Sequence, residues 1–190
     1  VEHNTPQDIH FTKILEQETG NYPDVKRTFI PVMCNHCDNA PCIDVCPTRA
    51  TYAREKDGIV LVDWDKCIGC GACVLACPYD QRFFVFENRT LFPDGGDFMR
   101  PDVKRVDKGA IAKCDFCYHR IDVGREPACV EVCPTKARIF GVINKDTYAH
   151  TETGPFKPLV QRDGTWTLLP EKGTNPTVYY ASRGDVPCSS

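Results

Sequence analysis

Thirteen cysteines lie in a chain of 190 residues, and twelve of them fall between Cys34 and Cys133. An odd number cannot pair fully into disulfides within one chain. The distribution is also wrong for a disulfide scaffold, which spreads its bridges through the fold. The thiols come in three tight fours: Cys34-x2-Cys37-x4-Cys42-x3-Cys46, Cys67-x2-Cys70-x2-Cys73-x3-Cys77 and Cys114-x2-Cys117-x11-Cys129-x3-Cys133. Each ends in a Cys-Pro step, at Pro47, Pro78 and Pro134. That is ligand spacing, and it decides what the chain can fold around. The thirteenth thiol, Cys188, stands apart and is read as an unliganded tail thiol.

Two of the groups repeat each other beyond the cysteines. Pro41-Cys-Ile-Asp-Val-Cys-Pro-Thr-Arg-Ala50 aligns with Ala128-Cys-Val-Glu-Val-Cys-Pro-Thr-Lys-Ala137 in apolar, acidic and basic character, the mark of a duplicated metal-binding unit. A formal net charge of −3 gives no electrostatic case for nucleic acid or an anionic lipid surface. The longest apolar runs, Gly58–Val62 and Ala72–Ala76, fall far short of the ~18 residues of a membrane span. Dispersed histidines, few serines and no paired carboxylates leave no catalytic constellation.

Four thiolates around one centre mean zinc or an iron–sulfur cluster. Zinc ribbons separate two Cys-x2-Cys pairs by a dozen or more residues. The second group instead offers Cys67, Cys70 and Cys73 within seven residues. Such a loop can wrap three corners of a cubane while the chain carries the fourth cysteine away. This run resembles the bacterial ferredoxin signature, whose fourth cysteine ligates the other cluster in two-cluster proteins. Crossed ligation then predicts one [4Fe–4S] cluster on Cys34, Cys37, Cys42 and Cys77, and a second on Cys67, Cys70, Cys73 and Cys46. Group three is left without a mate. Cys114, Cys117 and Cys129 offer three corners of an incomplete third cluster, and Cys133 a fourth ligand to a cluster of a missing group.

The succession of three groups resembles the four-cluster iron–sulfur subunit of molybdopterin oxidoreductases of the polysulfide, thiosulfate, tetrathionate, arsenate and dimethyl sulfoxide reductase type. The likeness extends to Val1–Pro6, which is similar to the stretch after that family's first cysteine group, and to Leu168-Leu-Pro-Glu-Lys-Gly-Thr-Asn-Pro-Thr-Val-Tyr-Tyr180. The first group itself is lacking, so the sequence is expected to begin just downstream of it. The resemblance implies an α+β fold of duplicated ferredoxin-like units, with short strands and helical turns around the clusters, loop-rich, with an extended C-terminal tail. Its implied divisions are an N-terminal segment over 1–33, a two-cluster unit over 34–84 and an insertion loop over 85–112. Half of a second unit over 113–143 and the tail over 144–190 complete them. It implies electron transfer without catalysis, and partners in a molybdopterin catalytic subunit and a quinone-interacting membrane subunit. Membrane association would be through that partner. A free soluble ferredoxin and a structural zinc module are the competing readings.

Local patterns add finer expectations. Ala50–Arg54, a Lys-Asp-Gly turn and Ile59–Val62 read as a hairpin, Arg27–Ile30 as extended, and Arg138–Ile143 as a strand. The Cys-x3-Cys segments suit one or two helical turns stopped by the following proline. His36 reads as a solvated loop residue, not a ligand. Lys66 and Lys113 could offset cluster charge, and Gly69 and Gly71 suit backbone passing close to sulfur. Tyr52, Phe83, Phe84, Phe116 and Phe140 read as core around the clusters.

Overall fold

The computed structural model describes residues 3, 5, 8–87, 103, 104, 106–141 and 165–181. Regular structure there is short and local. Strands β1 (Lys13–Thr19) and β2 (Lys26–Val32) pair antiparallel, Lys13 opposite Val32 and Thr19 opposite Lys26. The sequence marks only Arg27–Ile30 of this hairpin, because β1 carries alternating charge with no clean apolar face. Cross-strand ion pairs from Arg27 to Glu16 and Glu18 compensate. Strands β3 (Thr51–Ala53) and β4 (Val60–Val62) form the expected second hairpin. Helical turns α1 (Pro41–Asp44) and α2 (Ala72–Ala76) lie in the Cys-x3-Cys segments, each stopped before the following proline.

Contacts divide the chain into two units, the first built from 1–35 with 41–115 and the second from 36–40 with 116–190. In the first, β5 (Phe83–Phe84) pairs with β6 (Ile111–Ala112), so the ends of the segment between cysteine groups two and three are laced together. Phe83, Phe11 and Val106 pack against buried Ile9, Val85 and Ala112. The Trp64 indole donates to the Ile111 carbonyl at 3.1 Å, tying the approach to group two to this patch. Tyr52, expected in the core, points outward and is 41% exposed, because it sits on the outer face of the two-strand ladder.

In the second unit, α3 (Tyr118–Ile121) opens the spacer after Cys117, and α4 (Ala128–Glu131) carries Cys129 at the spacer's end. Buried Arg120 holds them together, donating to the Glu126 carbonyl at 2.8 Å and pairing with Glu131. Strands β7 (Thr165–Trp166) and β8 (Tyr180–Ala181) enclose a 3-10 turn at Pro170–Lys172, and Trp166 stacks on Tyr180. The segment after that turn is laced to 36–39. Asp38 and Asn39 donate backbone N–H groups to Asn175 and Thr174, and the Thr177 hydroxyl donates to the His36 carbonyl.

The strand expected at Arg138–Ile143 is absent over 138–141. The Arg138 N–H is instead directed at the Cys133 thiol, and Phe140 sets its ring against Phe116. Residues 142 and 143, most of the insertion loop, the remainder of the tail and Cys188 lie outside the described residues.

The β3–β4 turn depends on one carboxylate. Asp57 accepts from the Arg54 guanidinium and from the Ile59 N–H, both at 3.1 Å, and these bonds hold its carboxyl below the usual range against the opposing effect of burial. Replacing Asp57 by Ala should cost about 1 kcal/mol, the net worth of such bonds at a wet surface. The check is a lowered thermal midpoint with iron content unchanged.

Candidate metal centre

Each Cys-x2-Cys pair turns through the same backbone device. The residue before its second cysteine is left-handed in all three groups, with φ of 42° at His36, 66° at Gly69 and 54° at Phe116. Only one of the three is the glycine this region favours. The reason is packing, not sulfur. A Cβ on Gly69 would collide with the Gly109 carbonyl oxygen and lie 3.1 Å from the Phe84 ring, whereas Gly71 has open space and needs only its φ of 75° as the N-cap of α2. His36 and Phe116 instead use their side chains. Their rings stack with centroids 3.7 Å apart, so His36 is buried, 1% exposed, and not the solvated loop residue its polarity suggests.

The three Cys-Pro steps share a second device. The backbone N–H three residues on returns to the cysteine carbonyl at 3.2 Å, from Arg49 to Cys46, Asp80 to Cys77 and Lys136 to Cys133. All three donors are left-handed, with φ between 51° and 53°. The turn then aims following N–H groups at the thiol. Cys46 Sγ accepts from the Thr51 N–H at 3.4 Å, and Thr48 Oγ1 lies 3.9 Å away. Burial opposes ionisation of Cys46, but these bonds outweigh it and lower its pKa. At Cys133 the Thr135 hydroxyl and the Arg138 and Ala137 N–H groups push the value down to about 7. The repeat seen in sequence is thus a repeated thiol-binding turn.

In the first unit, Cys46, Cys67, Cys70 and Cys73 together line one cavity, about 310 Å³ of empty space with its open mouth included. These are the four cysteines expected to share a cluster, drawn from two groups. Cys73 is buried, and desolvation raises its thiol pKa, with Arg82 opposing and Cys67 and Cys46 adding to the rise. Cys42 behaves in parallel: desolvation raises it, Arg82 and Lys113 oppose, and Cys34 and Cys77 raise it further. So Cys42 feels Cys34 and Cys77, while Cys73 feels Cys67 and Cys46. Cys37 falls in the second unit together with Cys117, Cys129 and Cys133, and Cys114 in the first.

Two cations stand beside these thiols, and sequence reading found one of them. Lys113 is buried, with Nζ donating to the Cys114 carbonyl at 2.6 Å. Lys66 does not share that role, since it is exposed and pairs with Asp63 at 2.8 Å. Arg82 was not singled out. It is only 3% exposed, donating from Nη2 to Cys42 Sγ at 3.0 Å and from Nη1 to Thr51 Oγ1 at 3.1 Å. Its one signal in sequence is an offset: five residues beyond Cys77, as Thr51 is beyond Cys46 and Arg138 beyond Cys133.

This donor set fits an iron–sulfur cluster. Four thiols and no carboxylate or imidazole line the cavity, N–H groups aim at sulfur, and buried cations face the anionic assembly. The Gly69 contact sets a test. Gly69→Ala must move backbone against backbone and should cost about 3 kcal/mol. Gly71→Ala incurs only the left-handed penalty, about 1 kcal/mol. Iron retained per chain after mild heating should fall for the first and change little for the second.

Known proteins carry the same pattern. A model of the 4Fe–4S dicluster domain matches residues 25–91 and 101–143. A Halobacterium salinarum protein named as a dimethyl sulfoxide reductase iron–sulfur subunit is 40% identical, over 94% of this chain and 70% of its own length. A subunit of the tetrathionate reductase of Salmonella typhimurium is also 40% identical, over 98% of this chain and 65% of its own. The arsenate respiratory reductase iron–sulfur subunit of Shewanella sp. strain ANA-3 is 35% identical, over 95% and 86%. The chain thus spans about two thirds of the first two relatives. It belongs to the 4Fe–4S dicluster domain family, and [4Fe–4S] clusters are its cofactors.

Proposed function

We propose that this chain is the electron-relay subunit of a molybdopterin oxidoreductase, passing electrons between a quinone-interacting membrane subunit and the catalytic subunit. It performs no bond chemistry of its own. The observation that carries the reading is the cavity lined by Cys46 from group one and Cys67, Cys70 and Cys73 from group two. A free ferredoxin would need no such family; the relatives are named as subunits of reductases. Among the described residues no helix is long and apolar enough to cross a membrane, which fits attachment through a partner.

In this reading the fold is a pair of ferredoxin-like units. One cluster takes Cys34, Cys37, Cys42 and Cys77, and its neighbour takes Cys67, Cys70, Cys73 and Cys46. Cys114, Cys117 and Cys129 belong to a third cluster, and Cys133 to one whose other ligands lie outside this sequence. Each cluster supplies a one-electron carrier when bound. The residues set its surroundings: turns deliver N–H groups to sulfur, and Arg82 and Lys113 place positive charge against the thiolates. More than one cluster in a chain allows transfer over a distance that one could not span.

Iron, sulfide and zinc analysis of anaerobically purified protein tests the assignment. About eight iron atoms per chain are expected, four for each complete cluster. About twelve would mean that group three closes a cluster alone, overturning the role given to Cys133. Zinc in place of iron would overturn the electron-transfer reading. Crossing is tested by Cys46→Ser, which should alter the electron paramagnetic resonance signal of the cluster on Cys67, Cys70 and Cys73 and spare the other. Cys77→Ser should do the reverse.

With elements this short, cluster binding supplies much of the folding free energy. Removing iron with a chelator should therefore abolish the ordered circular dichroism spectrum. A native-like spectrum without iron would contradict this.

A further inference from the structure

We propose that Arg82 is a single buried cation shared by the two cluster sites of the first unit, setting the reduction potentials of both together. The inference rests on the ligand assignment just given. Its guanidinium donates to Cys42 Sγ at 3.0 Å, a ligand of one cluster, and its charge also acts on buried Cys73, a ligand of the other. Its other arm holds Thr51 Oγ1 at 3.1 Å, and the Thr51 N–H in turn donates to Cys46 Sγ at 3.4 Å, a second ligand of the Cys73 cluster.

A guanidinium 3% exposed is costly to desolvate unless anions compensate it. Among the described residues, the strongest negative influences on Arg82 are the thiolates of Cys42, Cys73 and Cys34. The guanidinium bonds the Cys42 thiol and the Thr51 hydroxyl, so the cation answers the cluster ligands. Arginine stays charged at every working pH, and its planar fork can meet two acceptors at once. Reducing a cluster adds one electron to an assembly that is already anionic. A buried positive charge touching its sulfur favours that reduced form and raises the potential. Because the same charge acts on ligands of both clusters, both potentials rise together, which keeps neighbouring carriers matched for transfer between them.

The test is a redox titration followed by electron paramagnetic resonance, with iron content measured on each sample. Wild-type protein is compared with Arg82→Gln, Arg82→Lys and, as a control, Lys66→Gln. Arg82→Gln should retain iron and shift both cluster potentials to lower values. Arg82→Lys keeps the charge but loses the fork, so it should retain iron with one potential near wild type and the other lowered. Lys66→Gln, which removes an exposed charge paired with Asp63, should leave both unmoved. Unmoved potentials in an iron-loaded Arg82→Gln would overturn the proposal, as would a shift confined to one cluster in that variant. Loss of iron in Arg82→Lys would also overturn it, showing Arg82 to be structural only. Wild-type protein with fewer than eight iron atoms would fail differently, overturning the cluster assignment before Arg82 is reached.

Discussion

Thiolates brought within bonding distance of one another repel, and the first unit is arranged around that repulsion. Burial raises Cys42 and Cys73, and their neighbours Cys34, Cys77, Cys67 and Cys46 raise them further. Nothing apolar can offset this. The relief comes from positive charge: iron when a cluster is bound, and the two buried cations Arg82 and Lys113. Even then a cubane with four thiolates keeps a charge of about −2. The guanidinium against Cys42 and the lysine close by are therefore part of what makes the site buildable, not decoration on it.

The same constraint explains why regular structure is so scarce. Helical turns of four or five residues are below the length at which helices are stable alone, and a ladder of two or three residues per strand is weaker still. The helical turns and the β3–β4 hairpin are placed where they orient a thiol. Turn α2 follows the left-handed Gly71 and carries Cys73; α1 carries Cys42; α4 carries Cys129. The β3–β4 hairpin presents the Thr51 N–H to Cys46 and its hydroxyl to Arg82. Around the thiols, cohesion passes through sulfur and the backbone supplies direction.

Spacing is what made the metal groups legible in sequence. A proline after each fourth cysteine stopped the helical turns, and alternation with a Lys-Asp-Gly turn disclosed the β3–β4 hairpin. What stayed hidden has physical causes. Strand β1 is charged on both faces and is held by its backbone ladder to β2, with surface ion pairs across to Arg27. Left-handed backbone announces itself at Gly69 but not at His36 or Phe116, where ring stacking compensates a conformation that side chains disfavour. Glycine at 69 was ascribed to sulfur, but the Gly109 backbone that demands it is 40 residues away in sequence. Arg82 was missed because a lone arginine after a cysteine group looks like any surface arginine until the fold turns it inward.

The Cys-Pro turn shows how one local device gives different outcomes by what stands five residues on. At Cys46 that residue is Thr51, whose N–H meets the cysteine it follows while its hydroxyl meets Arg82. At Cys133 it is Arg138, again donating N–H to its own cysteine. At Cys77 it is Arg82, whose side chain leaves its own cysteine to donate to Cys42 and act on Cys73 instead. On the crossed assignment, Cys77 and Cys46 are the two ligands exchanged between the clusters. The residues five beyond them, Arg82 and Thr51, are hydrogen-bonded to each other at 3.1 Å. The exchange of ligands and the sharing of charge therefore pass through one contact. On the shared-cation proposal, removing the charge at this contact perturbs both carriers together, whereas keeping the charge without the fork separates them.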